Sequence, residues 1–143
     1  MFVLSFWLHV NPPSYPELRR PSAGHRFRVL HRDSAFASAG CHDNRLDKLW
    51  WNELWMGYSA DVSYEDSSDV SHAHNLGGAL MLAMGELDTN VDPSSTLRLA
   101  HAVIEADKDF DLVFVPGGTH HVIDMPFMVQ KKHAFFRKHL QSY

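Results

Sequence analysis

Gly85-Glu86-Leu87-Asp88-Thr89-Asn90-Val91 follows directly on the apolar run Ala79-Leu80-Met81-Leu82-Ala83-Met84, and the architecture can be worked out from that junction. Six consecutive apolar residues closed by a glycine suit a strand buried on both faces. A second junction of the same kind comes later. Phe110-Asp111-Leu112-Val113-Phe114-Val115 runs into Pro116-Gly117-Gly118-Thr119-His120-His121. Between the two lies one helical segment. Asp92-Pro93 is an N-cap followed by proline at the first helical position, and Leu99, Ala102, Val103 and Ala106 then recur on one face. The order is strand, Asp-bearing loop, helix, strand, His-bearing loop. In a parallel sheet, strands joined by a crossover helix carry their C-terminal loops at the same edge. The fold class is therefore α/β, and Asp88 and His120 meet at one sheet edge.

A carboxylate beside an imidazole can hold one tautomer and stabilise the protonated ring, as the orienting acid and general base of a catalytic triad do. Asp followed by His, late in the chain, is also the order that α/β hydrolases use after their serine. On spacing alone the alternative stays open that Asp88 opens a turn with Asn90 and that His120 is an ordinary loop residue, because both types are common at strand ends.

Further out from this core, Ser34-Ala35-Phe36-Ala37-Ser38-Ala39-Gly40 reads as a third buried strand. A polar loop, Cys41-His42-Asp43-Asn44-Arg45, leads to a helix over Leu46 to Tyr58, in which Trp51 and Trp55 share a face and Gly57 is the stop. Asp61 to Asp69, acidic and serine-rich, reads as a solvated surface connection, and Val70 to Leu76 leads into the strand at Ala79. Asp124-Met125-Pro126 opens a closing helix. Phe135, Phe136 and Leu140 give it an apolar side, and Arg137, Lys138 and His139 sit near its C-terminus, where positive charge suits the helix dipole.

The chain from about Asp33 to Tyr143 resembles the C-terminal part of the catalytic domain of prolyl-oligopeptidase-family serine peptidases, most of all the dipeptidyl-peptidase-IV branch. Gly85 to Val91 is similar to that family's segment bearing the triad acid, and Pro116 to His120 to the segment ending in its catalytic histidine. Trp51-Asn52-Glu53-Leu54-Trp55-Met56-Gly57 resembles its aromatic-x-E-x-aromatic-M-G segment. The resemblance implies a partial α/β-hydrolase fold with Asp88 as acid and His120 as base. It makes Trp51 and Trp55 walls of the pocket for the residue before the scissile bond, Asn90 a donor to a substrate carbonyl, and Val91 part of the pocket lining. The implied activity is removal of N-terminal dipeptides after proline or alanine, with peptide as the partner and no cofactor. Oligomers are usual in that family, and Asp92 to Asp107 and Pro126 to Leu140 are the segments expected to contribute to a homo-oligomer. His121 stands where relatives usually have glycine.

The nucleophile is where the pattern departs. The family's serine sits in a G-x-S-x-G elbow, and the candidate here is Ser22 in Arg20-Pro21-Ser22-Ala23-Gly24. Arg20 replaces the glycine that allows the sharp turn, and no apolar strand leads in. Residues 1–32 are also compositionally distinct, with four prolines and five arginines and no lysine before Lys48. They are expected to form a separate arm before a catalytic part at 33–143. The serine-peptidase reading therefore comes with an alternative: a truncated, catalytically inactive fragment or pseudoenzyme that acts through association.

Composition bounds the remaining classes. A net charge of -4 argues against a nucleic-acid surface, and one cysteine excludes an intramolecular disulfide. The apolar start Met1 to Val10 lacks a basic n-region and a cleavage site, is too short to span a bilayer, and reads as a buried strand; the compartment stays open. Eleven histidines raise a third reading, a small metal-binding domain. His72 and His74, spaced to share a strand face, would be joined there by His120, His121 and Asp88. Cys41 lacks a glycine-framed elbow and reads as a buried or loop thiol.

Overall fold

A computed structural model describes residues 34–58 and 60–140. Three strands form one parallel sheet in the order β1 (Ser34–Ser38), β2 (Ala79–Gly85), β3 (Asp111–Val115). The register pairs Ser34 with Ala79 and Met81 with Asp111. The central strand β2 is the apolar run of the first junction, buried along almost its whole length because both faces are covered.

The two faces have separate cores. Leu80 and Leu82 point to one side and pack with Leu99, Ala100 and Val103 of α3 (Pro93–Glu105), joined by Ala73 and Leu76. Ala83 points to the other side, with Val115, Val122 and Met128, the last from α4 (Pro126–Leu140). The α3 start is as expected: the Asp92 carboxylate accepts from the Ser94 N–H, and proline occupies the first turn. The basic last turn of α4 also forms as expected. Of its apolar side, Phe135 is buried, while Leu140 remains 39% exposed.

Two expected segments differ. The tryptophan helix α1 spans Leu49–Met56, starting three residues later than the stretch from Leu46. Residues before it are held in turns, and Lys48, just before the helix, takes a left-handed conformation (φ 52°, ψ 41°) that cannot continue a helix backward. Gly57 ends it, its N–H donating to the Glu53 carbonyl. The acidic stretch Asp61 to Asp69 is not simply a solvated connection. It contains a short helix α2 (Val62–Asp66), capped by Asp61, and Tyr64 within it is fully buried with its hydroxyl donating to the Gly57 carbonyl at 2.9 Å. One aromatic in a polar run was enough to pull the segment onto the body of the protein. The His72–His74 stretch forms a 3-10 turn at Ala73–Asn75, not a strand, so the strand geometry that would align both rings does not apply.

Ser22, the N-terminal arm 1–32 and the apolar start Met1 to Val10 lie outside the described residues. Among those described, no helix is long and apolar enough to cross a membrane.

Candidate active site

Because all three strands run parallel, the segments after β1, β2 and β3 leave the sheet at one edge. The loops after β2 and β3 are tied directly together. Leu87 N–H donates to the Gly118 carbonyl at 2.7 Å, Glu86 N–H to the Val115 carbonyl at 3.0 Å, and Gly117 N–H to the Glu86 carboxylate at 2.8 Å. The approach is so close that a side chain at Gly85 would place its Cβ 2.4 Å from the Gly118 carbonyl oxygen. Only glycine fits there.

This seam brings Asp88 and His120 together. The Asp88 Oδ2 lies 2.9 Å from the His120 Nδ1. Its other oxygen, Oδ1, accepts the backbone N–H groups of Asn90 at 2.8 Å and Val91 at 2.9 Å. Both carboxylate oxygens are therefore occupied, and the Asp88 side chain is 1% exposed against 19% for the His120 ring. A carboxylate only accepts. The hydrogen facing it must then be carried by Nδ1, which leaves the Nε2 lone pair on the more open side of the ring. That arrangement can take a proton from a hydroxyl or water at Nε2 and stabilise the resulting imidazolium. Among the described residues, no serine hydroxyl bonds to His120.

Of the other expected site residues, Asn90 and Val91 lie in the Asp88 loop, while Trp51 and Trp55 lie on α1. Trp51 and Trp55 lie on one face of α1 with ring centroids 6.1 Å apart, and both are exposed, at 40% and 73%. They do not belong to the core; α1 buries none of its residues. Val91 is buried behind the Asp88 loop. Asn90 is half-buried, and its side-chain carbonyl accepts from the Lys48 ammonium. His121 is exposed, with its ring edge-on to that of His120 at 5.6 Å.

The loop after β1 holds what the sequence pattern did not reveal. The Asp43 carboxylate is buried and takes bonds from Arg45, Ser68 and the Arg45 N–H. Burial alone would raise its pKa, but those donors outweigh it and hold the group below the usual carboxylate range. His42, also buried, lies 2.9 Å from Asp69 through Nδ1, and its N–H donates to the Ser95 hydroxyl. These long-range partners carry no local spacing signal. Asp47 has the opposite character: burial raises its pKa, and its Oδ2 is buried without a partner among the described residues. Cys41 is pushed up to about 11 by burial and then by the Asp47 charge, so its thiol stays protonated and non-nucleophilic. Among the described residues, no group of three or more His, Cys, Asp or Glu side chains is arranged to hold a metal ion.

The family model of prolyl oligopeptidases matches residues 23–143. Among solved structures, a putative dipeptidyl aminopeptidase IV from Bacteroides ovatus superposes with a TM-score of 0.69 at 22% identity, over 74% of this chain and 16% of that one. The Porphyromonas gingivalis dipeptidyl peptidase 4 gives 0.68 at 22% identity with the same shares. The Pyrococcus horikoshii acylaminoacyl peptidase gives 0.64 at 18% identity, over 77% of this chain and 20% of that one. These likenesses show a shared α/β-hydrolase-type fold. The chain spans about a sixth of the length of the first two. No curated protein matches it.

Proposed function

The chain belongs to the prolyl oligopeptidase family of serine peptidases, and from that premise we propose that residues 33–143 supply the acid–base half of a peptidase site, with Asp88 as acid and His120 as base. The observation that carries this reading is the 2.9 Å contact of His120 Nδ1 with a fully satisfied, buried Asp88 carboxylate. The substrate is a peptide and the reaction acyl transfer. His120 Nε2 takes the proton of a serine hydroxyl as that oxygen bonds to the scissile carbonyl carbon. It then returns the proton to the departing amine, and water repeats the sequence to release the acid.

The exposed faces of Trp51 and Trp55 suit a flat proline ring or a small apolar side chain in the residue before the scissile bond. Cleavage that releases N-terminal dipeptides after proline or alanine is the specificity this predicts. The resemblance and the names of the structural neighbours support it. Ser22 is the candidate nucleophile, and residues 1–32 are assigned to a segment distinct from this half-site.

A fluorophosphonate probe applied to the purified, folded chain tests the assignment. Labelling at Ser22 that disappears in His120→Ala supports a complete triad. A folded sample that takes no label shows that this chain alone is not a catalyst, which favours the non-catalytic alternative, acting through association.

A further inference from the structure

We infer that Lys48 is a positioning residue for this site: it fixes the orientation of the Asn90 carboxamide and locks the tryptophan helix to the loop that carries Asp88. Lys48 ends the turn before α1, and its carbonyl accepts the N–H groups of Trp51 at 2.9 Å and Asn52 at 3.1 Å, so its backbone starts the helix. Its side chain reaches away from that helix. The Nζ atom contacts the Asn90 Oδ1 at 2.5 Å. Asn90 N–H in turn donates to the Asp88 carboxylate that holds His120. One side chain therefore connects the start of the Trp51–Trp55 helix to the acid–base pair.

The chemistry of the contact makes it directional. An asparagine carboxamide can be turned over with almost no change in shape, exchanging a donor for an acceptor. An ammonium group only donates. The atom of Asn90 that faces Lys48 must then be the oxygen, and the NH2 group is forced to the opposite side. No partner for that NH2 group is found among the described residues. Asn90 is thereby presented as a donor, for a carbonyl or carboxylate oxygen of the substrate, and the remaining Lys48 protons add positive potential beside it. The backbone shows that the position is not occupied for its own comfort. Lys48 holds a left-handed conformation that a residue with a Cβ adopts at a cost, and it makes no side-chain cap to α1. Neither helix propensity nor capping accounts for a lysine there; the bond to Asn90 does.

The orientation claim stands on geometry alone, whereas its effect on ligand rests on the peptidase reading, so the test has two arms. In the first, the side-chain NH2 resonances of Asn90 are followed by NMR in the 15N-labelled chain. Lys48→Met, which keeps the unbranched apolar stem but lacks the donor, moves this pair to the shifts of a free asparagine side chain. Lys48→Arg keeps it in place. Lys48→Gly relieves the backbone yet loses the signature as Lys48→Met does. An Asn90 pair unmoved in folded Lys48→Met, or retained in Lys48→Gly, overturns the inference.

In the second arm, an Xaa-Pro dipeptide, the expected product, is titrated calorimetrically. Lys48→Met and Asn90→Ala each weaken binding about five- to tenfold and the double variant no further, since one acts through the other; Lys48→Arg restores it. Additive losses overturn the coupling. A wild-type chain that binds no dipeptide rejects the peptidase reading and leaves the orientation to be decided by the NMR arm.

Discussion

Single carboxylates set opposite pH responses in this small site. Asp43 is held below the usual carboxylate range, so its folded pKa lies under its unfolded one. The stability it contributes is present above about pH 4 and is lost as pH falls through the folded value. Asp47 is raised by burial, so it favours folding in acid and opposes it as pH rises through its folded value. Asp43→Asn is therefore expected to lower the thermal midpoint at pH 7, and Asp47→Asn to raise it. The Asp47 difference should shrink as pH falls below the unfolded value of about 4, and the Asp43 difference only as pH falls further, through its lowered folded value. Asp88→Asn is a third case. The two backbone N–H groups at Oδ1 keep the amide oxygen there and turn the NH2 toward His120 Nδ1, so the low-field proton resonance of that nitrogen should vanish from the NMR spectrum while the fold persists. In any assembly that hydrolyses peptides, the same change should cost about 10^4-fold in kcat, the scale known for an orienting aspartate.

The elements show which parts of the molecule could be read from the chain and which could not. Strands β2 and β3 and helix α3 were legible because each is bounded by local signals: an apolar run closed at Gly85, Asp92-Pro93 at a helix start, glycines after Val115. The placement of Asp88 and His120 followed from those signals and from parallel pairing alone. Between Cys41 and Ser71 the tryptophan helix and its Gly57 stop were legible, but the loops on either side were not, since much of their order comes from contacts across long separations. Asp43 with Ser68 and His42 with Asp69 are examples. Lys48 was missed for the same reason: its partner is a side chain in another loop, on the far side of β2 in sequence.

Two element-scale substitutions check this account. Met128→Ala, at a fully buried position where α4 meets the sheet, should cost about 3 kcal/mol in urea unfolding. Gly85→Ala should cost about as much, on the order of 3 kcal/mol, by forcing apart the loops after β2 and β3. It should also loosen the contact of Asp88 with His120, which the low-field proton signal would report.

At the scale of the whole molecule, the described residues form a three-stranded parallel sheet with uneven cover. Each sheet face carries a buried core, but α1 leaves Trp50, Leu54 and Trp55 at 69% to 73% exposure, and Tyr58 just beyond it is 87% exposed. Three of the four tryptophans lie on that one helix. Native fluorescence should therefore show emission typical of solvated indole and be strongly quenched by acrylamide. A blue-shifted, protected emission would mean that α1 is covered in solution. At the sheet's other side, β3 exposes Leu112 and Phe114 at 42% and 47%, surface that isolated folded chains seldom leave uncovered.

The seam between the loops after β2 and β3 also bears on the order in which the protein assembles. Asp88 and His120 are 32 residues apart, and the regular structure between them is one helix, α3, and one strand, β3. Closing so short a loop is entropically cheap and fast. The acid and base can therefore find each other within a local folding event that does not wait for β1, α1 or any nucleophile to dock. The Leu87 and Gly118 amides should then be among the earliest protected in pulse-labelled hydrogen exchange, with His42 and Asp69 N–H following later. If Asp88 and His120 act as proposed, such a chain assembles that pair first and receives the group that it serves afterwards.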